Sequence, residues 1–410
     1  MNKIHIFILR KKGINMSNQF EFYAPTRVIF GRDTEKRAGS LLREYGAQSV
    51  LLVYGGRSAE ASGLLQTVRD SLEAEGISYA ELGGVVPNPR LSKVYEGIRV
   101  GREQKTDFLV GIGGGSAIDT AKAIAYGLAN PEHDVWDFYT KKANPSACLP
   151  VAAILTIAAA GSEMSDSSVI TNEETGEKKG CNTNLSRCRF AIMNPALTLT
   201  LPDYQTCSGA TDIMMHTMER YFTNKGNMQM TDVIAEGLIR TVMDNALILH
   251  KDPSDYEARA ELMWASSLSH NGLTGCGNGG NDFMSHKIEH ELGGMFDVTH
   301  GAGLAAVWGS WARCVYKNCL PRFVKFAKNV MGIDGEGKTD EQIAEEGIAA
   351  MENYFHSIGM PVNMRELGIS PTDEQIEELT DRCLAACMGY TGAAKSLTRE
   401  DFRSIYLSAR

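Results

Sequence analysis

One aspartate and four histidines in the second half of the chain have the residue types and the spacing of ligands for a divalent metal ion. Asp212 and His216 stand four residues apart in a segment of helical character, so both side chains leave the same face of a helix. His286 and His290 repeat this spacing, and His300 follows. One carboxylate oxygen and several imidazole nitrogens suit Zn²⁺ or Fe²⁺ better than Ca²⁺ or Mg²⁺, which prefer oxygen ligands. The pattern predicts one zinc or iron site that supports Lewis-acid or redox chemistry.

A structural role is the alternative for each pair. An Asp/His or His/His pair on a helix also occurs as a surface salt bridge, or as a buried imidazole bonded to a carbonyl. Here both pairs and the fifth candidate lie in one region that holds six of the nine histidines. Such clustering favours the metal site over two unrelated structural pairs.

Three glycines in a row predict a phosphate-binding turn. Gly113, Gly114 and Gly115 follow a buried strand and precede a helix, so backbone amides can approach an anion closely where a Cβ would collide. Ser116 adds a hydroxyl and Asp119 a carboxylate one turn further on. A glycine triplet also occurs as a simple tight turn, but its position between strand and helix favours binding of a pyrophosphate.

A second glycine turn, made of Gly55, Gly56, Arg57 and Ser58, follows an earlier predicted strand. Enzymes that prefer the unphosphorylated dinucleotide place an acidic residue near the adenosine ribose. This turn carries small residues and a guanidinium, which offers paired donors to a phosphate. The charges favour NADP(H) over NAD(H), although a solvated surface arginine is the structural alternative.

The elements that would position these residues change in type halfway along the chain. From residue 28 onward, short β-rich runs alternate with helical stretches, which predicts a parallel sheet with crossover helices. The polar stretch from Asn172 to Ser186 is predicted to be a loop. After Pro195 nearly everything has helical spacing. We therefore predict an α/β dinucleotide-binding domain at 17–199 and an all-helical metal-binding domain at 200–410.

The composition is that of an ordinary globular protein. Of the 410 residues 43% are hydrophobic and 22% charged, and the formal charge of −9 makes nucleic acid or a membrane surface a poor partner. The nine cysteines form no CxxC pair, which fits a reducing cytoplasmic compartment. Residues 1–16 are predicted to be a poorly ordered extension, because a basic run follows their short apolar stretch instead of a cleavage site.

The motifs in their order resemble the iron-containing (group III) alcohol dehydrogenases, and in particular the NADP(H)-dependent butanol dehydrogenase and aldehyde reductase branch. The resemblance runs through FYAPTRVIFG, GIGGGSAIDTAKAIA, TIAAAGSEMS and SHKIEHELGGMFDVTHGAGLA to the C-terminus. It implies an N-terminal α/β nucleotide-binding domain, a C-terminal helical domain and an active site in the cleft between them. Relatives are often dimers, so a homodimer is expected.

The resemblance also assigns roles that the spacing leaves open. It implies that Asp212, His216, His286 and His300 bind the metal and that His290 stands beside the nicotinamide as a proton carrier. Asp119 would lie near the nicotinamide ribose or carboxamide. Further cofactor contacts are implied at Asn88, Thr156, Ser162, Lys178 and the stretch from Leu197 to Thr200.

The implied reaction is reversible hydride transfer between NADP(H) and a primary alcohol or aldehyde of the butanol type, with the metal polarising the substrate oxygen. An NAD-dependent polyol or diol dehydrogenase of the same architecture is one alternative, and a metal-dependent cyclising synthase is another. A dinucleotide-binding or metal-binding sensor without catalysis would combine the same glycine turns and histidines.

Overall fold

The computed structural model describes residues 19–56, 58–226 and 228–410. The predicted extension at 1–16 and Arg57 therefore lie outside the described residues. Within the described part, strands and helices alternate in the first half, and the second half is helical, as the sequence predicts.

A six-stranded parallel sheet forms the centre of the first half. Its strand order is β1-β8-β5-β4-β2-β3, and a separate antiparallel hairpin is formed by β6 and β7. Both faces are covered by helices, and the middle of β2 is fully buried, as expected for continuous apolar strands in a parallel sheet. The strands are β1 (Arg27–Phe30), β2 (Ser49–Tyr54), β3 (Ser78–Leu82), β4 (Phe108–Gly113), β5 (Val151–Leu155), β6 (Ser167–Asn172), β7 (Glu177–Asn182) and β8 (Phe190–Met193).

The strand order changes direction between β2 and β4. From β2 the chain moves outward to β3 on one side, and from β4 it moves to β5 on the other. In open α/β sheets, such a reversal leaves a crevice at the carboxyl ends of the strands, where ligands bind. Both predicted glycine turns follow strands that border this reversal.

The prediction of a loop from Asn172 to Ser186 was wrong. Residues Glu177–Asn182 form β7, which pairs with β6 through the register Ile170↔Lys179. The segment EKKGCN lacks a run of β-branched residues, so propensity alone did not indicate a strand. Backbone pairing with β6 and burial of Cys181 supply the missing stabilisation.

The helices divide into a set around the sheet and a set in the second half. Around the sheet lie α1 (Ala38–Glu44), α2 (Ser58–Ala61), α3 (Leu64–Ala74), α4 (Leu91–Glu103), α5 (Gly115–Ala129) and α6 (Val135–Tyr139). The second half contains α7 (Asp203–Tyr221), α8 (Gln229–Lys251), α9 (Tyr256–His270), α10 (Met284–Phe296), α11 (His300–Val315), α12 (Leu320–Asn329), α13 (Asp340–Ser357), α14 (Asp373–Ala386) and α15 (Arg399–Ala409). None of the helices in the described ranges combines the length and the apolar character that a bilayer crossing requires.

Helix α7 lies at the centre of the helical half, and its residues from Thr206 to Tyr221 are all buried. It packs against α8, α9 and α11. Just beyond its end, the ring of Phe222 stacks on Phe323 with centroids 4.2 Å apart. A helix that is enclosed on all sides holds its side chains in fixed positions, which suits the presentation of ligands.

Two glycines allow close approach at α7. A Cβ added to Gly301 would lie 2.0 Å from the carbonyl oxygen of Ser208, and one added to Gly209 would lie 2.3 Å from that of Ala158. Gly301 therefore sets the separation of α7 and α11, whereas Gly209 sets that of α7 and the segment after β5.

We expect Gly301→Ala to destabilise the fold by about 1–3 kcal/mol, because the added methyl group overpacks a rigid backbone contact. Gly237 in the middle of α8 is the matched control, since nothing lies within 4 Å of a Cβ added there. At that position alanine is expected to be neutral or stabilising by about 0.5–1 kcal/mol. Chemical denaturation of both variants checks this, and equal stabilities would contradict the close packing of α7 on α11.

Candidate active site

Three helices bring the predicted metal ligands together. Asp212 and His216 lie one turn apart in the buried middle of α7, and each is 3% exposed. His286 is buried in the first turn of α10, and His300 is the first residue of α11. The sequence pattern placed His300 only after the two pairs, so its position inside a helix is new.

The side chains of these residues converge on the carboxylate of Asp212. Its Oδ1 lies 3.3 Å from Nδ1 of His216, 3.6 Å from Nε2 of His286 and 3.7 Å from Nε2 of His300. One donor atom each from Asp212, His286 and His300 lies within 4.8 Å of the others. We call Asp212, His216, His286 and His300 together the Asp212 cluster.

The Asp212 cluster fits a divalent cation. Within the described part of the chain, Oδ1 of Asp212, Nδ1 of His216 and Nε2 of His286 are buried and have no hydrogen-bond partner. A buried polar atom without a partner costs about 1–3 kcal/mol, so such atoms at one point call for a ligand. One carboxylate and three imidazoles form the donor set that zinc and ferrous iron accept.

Two glutamates orient the imidazoles of His286 and His300 by contacting Nδ1, the ring nitrogen that does not face Asp212. Nδ1 of His286 lies 3.1 Å from Oε1 of Glu219, and Nδ1 of His300 contacts Oε2 of Glu289. Both carboxylates are buried. A carboxylate at Nδ1 fixes the tautomer in which Nε2 carries a free lone pair, which is the common support of a metal-binding histidine.

The imidazoles of the Asp212 cluster differ in the direction in which their pKa is shifted. Burial and the neighbouring His270 and His286 lower the pKa of His216, so its ring is neutral. Burial alone would also lower the pKa of His286, but Asp212 and Glu219 on either side of the ring outweigh it and raise the pKa to about 9. A positive charge is therefore favoured between these two carboxylates.

His290 lies at the rim of the Asp212 cluster. Its ring centroid is 6.3 Å from that of His286 and 5.7 Å from that of His300, and its donor atom is near those of Glu289 and His300 but not that of Asp212. An unperturbed imidazole, such as the proton carrier that the resemblance implies here, has a pKa near neutrality. Burial, with Lys178 and His300 nearby, instead lowers this pKa well below its usual value, so the imidazole is neutral.

The predicted phosphate turn lies at the carboxyl end of β4. Gly113 has φ +152°, a conformation that side chains rarely adopt. A Cβ on Gly114 would lie 3.1 Å from Cβ of Ile157, and one on Gly115 would lie 3.1 Å from Cβ of Ala160. The glycines therefore let the turn pack directly on the segment that follows β5, and Ser116 continues into the first turn of α5.

Asp119 ties this turn to its neighbours. Ser162 Oγ donates to its Oδ1 at 2.7 Å, and the backbone N–H of Val169 donates to its Oδ2 at 2.8 Å. The N–H of Thr156 donates to the carbonyl of Gly113 at 3.0 Å. Both oxygens of Asp119 are thus used inside the protein, and its implied contact with the nicotinamide stays a prediction.

The other predicted cofactor residues lie on several different elements. Asn88, after β3, donates from Nδ2 to Asp297 Oδ1 at 2.8 Å. Lys178 on β7 places Nζ 3.6 Å from Oε2 of Glu289. Gly55 and Gly56 follow β2, and Ser58 begins α2. Thr200 is exposed just before α7, and nothing in the structure brings it to the Asp212 cluster.

Sequence reasoning missed several residues of this region. Glu219 and Glu289 each stand three residues after a ligand histidine, so a repeated His-x-x-Glu pattern was available as a signal. Lys122 on α5 is fully buried and donates from Nζ to the carbonyls of Ser162, Ser165 and Ser167 at 2.7, 3.0 and 2.8 Å. His270 ends α9, and its ring centroid lies 3.9 Å from that of His216.

Comparison with known families matches nearly the whole described chain. Residues 25–195 match the family of iron-containing alcohol dehydrogenases, and residues 206–410 match the C-terminal part of the same family.

Individual relatives support the same family. A probable NADH-dependent butanol dehydrogenase of Bacillus subtilis is 40% identical over 94% of this chain and 98% of its own. An NADPH-dependent aldehyde reductase of Escherichia coli is 33% identical over 96% of this chain and 100% of its own. The crystal structure of an NADH-dependent butanol dehydrogenase from Thermotoga maritima superimposes with a TM-score of 0.92 at 38% identity, covering 96% of this chain and 99% of that one.

We expect Glu289→Gln to weaken Zn²⁺ binding by about 10–100-fold, because the amide supports the tautomer of His300 poorly and lacks the charge. Glu291→Gln on the same helix is the matched control, since that buried carboxylate pairs with Arg382 at 3.0 Å and not with a histidine of the Asp212 cluster. Competition against a chelator measures both dissociation constants. Equal weakening in the two variants would mean that Glu289 acts only through fold stability.

Proposed function

The chain belongs to the iron-containing alcohol dehydrogenase family. We propose that it catalyses hydride exchange between NADP(H) and short primary alcohols or aldehydes, with the Asp212 cluster and the glycine turn at Gly113 to Ser116 as its active site. The chain is a metal-dependent alcohol dehydrogenase and aldehyde reductase that uses a nicotinamide cofactor. The proposal adds the substrate, the cofactor preference and the residue roles. Two of the relatives are named as butanol dehydrogenases, which supports a butanol-type substrate.

The main support for this proposal is that the glycine turn at Gly113 to Ser116 lies close to the Asp212 cluster. A Cβ on Gly161, in the turn that holds Ser162, would lie 2.9 Å from Cβ of His270. The ring of His270 in turn packs on that of His216. A dinucleotide whose phosphates bind at Gly113 would therefore extend towards the cluster along the crevice of the sheet.

The proposed roles follow from this geometry. Asp212, His216, His286 and His300 hold a divalent metal, Fe²⁺ or Zn²⁺, and Gly113 to Ser116 hold the pyrophosphate. Thr156, Ser162 and Asp119 shape the wall of the cofactor site, and Lys178 lies where the two halves meet. On this assignment, residues 17–199 bind the cofactor and residues 200–410 bind the metal. Asn88 and Thr200 contact the adenosine side of the cofactor.

When bound, the cation would polarise the substrate oxygen and the nicotinamide would supply or accept the hydride. The chain's own residues align and protect the reactants. Asp212, His216 and His286 are buried, whereas the side chain of His300 is 27% exposed, so the cluster opens to the crevice on the side of His300 and His290. The neutral imidazole of His290 can accept a proton at one nitrogen and release one at the other, which suits a relay to solvent.

The preference for NADP(H) rests on the turn after β2. That turn includes Arg57 and no acidic residue. Nearby, Arg69 neutralises both Glu60 and Glu81, with N–O distances of 3.0 and 2.7 Å. These carboxylates are therefore poor candidates to repel a 2′-phosphate. Of the three relatives described above, two are named as NADH-dependent and one as NADPH-dependent, so family membership leaves this choice open.

We also propose a homodimer and a cytoplasmic location. Strand β1 is at the edge of the sheet, and Phe30 at its end is 41% exposed, which offers a surface for a second copy. All nine cysteines lie in the described residues and are free, which agrees with a reducing compartment.

Substitution of two histidines separates metal binding from proton transfer. We expect His300→Ala to lose metal affinity and to abolish NADPH oxidation with butanal in the presence of Fe²⁺ or Zn²⁺. His290→Ala is expected to slow turnover by about 10²-fold or more while its metal content stays unchanged. NADPH binding, followed by fluorescence, should persist in both. Full activity in His300→Ala, or metal loss in His290→Ala, would reverse the assignment.

Substitution of Arg57 tests the cofactor preference. We expect Arg57→Asp to lower the ratio of kcat/KM for NADPH over NADH by about 10–100-fold, because a charge-assisted hydrogen bond contributes about 1.5–3 kcal/mol. Arg43→Asp is the control, since Arg43 is on the same half and pairs with Glu75 at 3.1 Å. An unchanged ratio in Arg57→Asp would mean that another residue selects the cofactor.

A further inference from the structure

Three potential ligands of different types meet at the ends of α7 and α8, away from the Asp212 cluster. Asp203 begins α7, Cys207 follows one turn later, and His250 lies in the last turn of α8. One donor atom from each lies within 4.8 Å of the others. Nothing in the reaction proposed above uses these residues.

The separations agree with tetrahedral coordination of one small cation. Sγ of Cys207 lies 3.4 Å from Oδ1 of Asp203 and 3.9 Å from Nδ1 of His250. Nδ1 of His250 lies 3.1 and 3.0 Å from the two oxygens of Asp203. With zinc bonds of about 2.0–2.3 Å, ligand atoms at tetrahedral angles lie roughly 3.3–3.6 Å apart. The three side chains need to move by only a few tenths of an ångström.

We propose that Asp203, Cys207 and His250 form a second divalent-cation site, of the class that takes Zn²⁺ or Co²⁺. Carboxylate, thiolate and imidazole together select these cations over Mg²⁺ and Ca²⁺. The side chains of Asp203 and His250 are 42% and 35% exposed, so the fourth position opens to water or a small anion.

An ion pair between helix ends is the competing explanation. A carboxylate at the start of α7 and an imidazole at the end of α8 both complement the helix dipoles, so Asp203 and His250 attract each other without a cation. In this explanation the thiol of Cys207 only donates a weak hydrogen bond to Oδ1 of Asp203, although its Sγ also lies 3.9 Å from Nδ1 of His250. A cation with strong affinity for sulfur would instead bind the thiolate as a third ligand beside the carboxylate and the imidazole.

Such a site would act on the helix that carries the catalytic ligands. A cation there would join the first turn of α7 to the last turn of α8. Asp212 follows Asp203 by about two and a half turns of α7. Occupancy would therefore clamp the N-terminal end of α7 and stabilise the folded state.

Titration with Co²⁺ tests the proposal without using enzymatic activity. A thiolate bound to Co²⁺ produces a charge-transfer band in the near ultraviolet, and the Asp212 cluster contains no sulfur ligand, so the band reports the second site alone. We expect the band to form on the full chain and to be lost in Cys207→Ser. Cys314→Ser is the matched control, because that thiol lies 3.7 Å from Asp401 Oδ1 without a neighbouring histidine, and it should keep the band.

If Cys207→Ser does not fold, a substitution of the partly exposed His250 tests the second cation site. His250→Asn should weaken Co²⁺ binding at the second site by at least about tenfold, as expected for loss of one ligand. His356→Asn, whose imidazole pairs with Glu366 at 2.9 Å, should leave it unchanged. Absence of the band on the unmodified chain, or a band indifferent to His250→Asn, overturns the proposal. His300→Ala should retain the band, so failure of this site and failure of the proposed reaction are distinguishable.

Discussion

The structure depends on a buried carboxylate whose neighbours are imidazoles and not the charged side chain of a lysine or an arginine. Asp212 is almost inaccessible to solvent, and its Oδ1 lies within 4 Å of donor nitrogens from His216, His286 and His300. Burial of polar groups in this way is costly unless they are compensated. Burial lowers the pKa of His286, but Asp212 and Glu219 on either side of the ring outweigh it and raise the pKa to about 9, so a positive charge at this point reduces the cost. A divalent cation would supply that charge and compensate the remaining donors.

The convergence of these side chains depends on the packing around α7. Helix α7 is enclosed, and Gly301 and Gly209 bring α11 and the segment after β5 into backbone contact with it. Loose packing would let the ligand atoms separate, because the Asp212 cluster has no internal hydrogen bonds strong enough to hold it. The glutamates supply the remaining rigidity, since Glu219 also accepts the backbone N–H of His286 at 2.9 Å. The same carboxylate thus fixes both the start of α10 and the tautomer of its histidine.

Sequence patterns predicted what depends on spacing within one element. The pairing of Asp212 with His216 follows from helical periodicity alone, and the alternation of strands and helices in the first half agrees with the sequence-based prediction. Relations between elements did not follow from the sequence. Glu219 supports His286 across two helices, and β7 exists because β6 pairs with it. The separation of His290 from the ligands came from a family resemblance, and its low pKa arises from burial that no spacing shows.

The Asp212 cluster also depends on the α/β half of the chain. Lys178 on β7 contacts Glu289, which holds His300, while the turn at Gly161 packs on His270 beside His216. Two of the ligands are therefore supported through side chains that touch the cofactor half, on separate sides of the cluster. A small displacement between the halves would move His300 and His216 relative to Asp212, because packed contacts transmit shifts instead of absorbing them. The residues predicted to bind the cofactor and those predicted to bind the metal are thus parts of one mechanical unit, and neither half contains all of them.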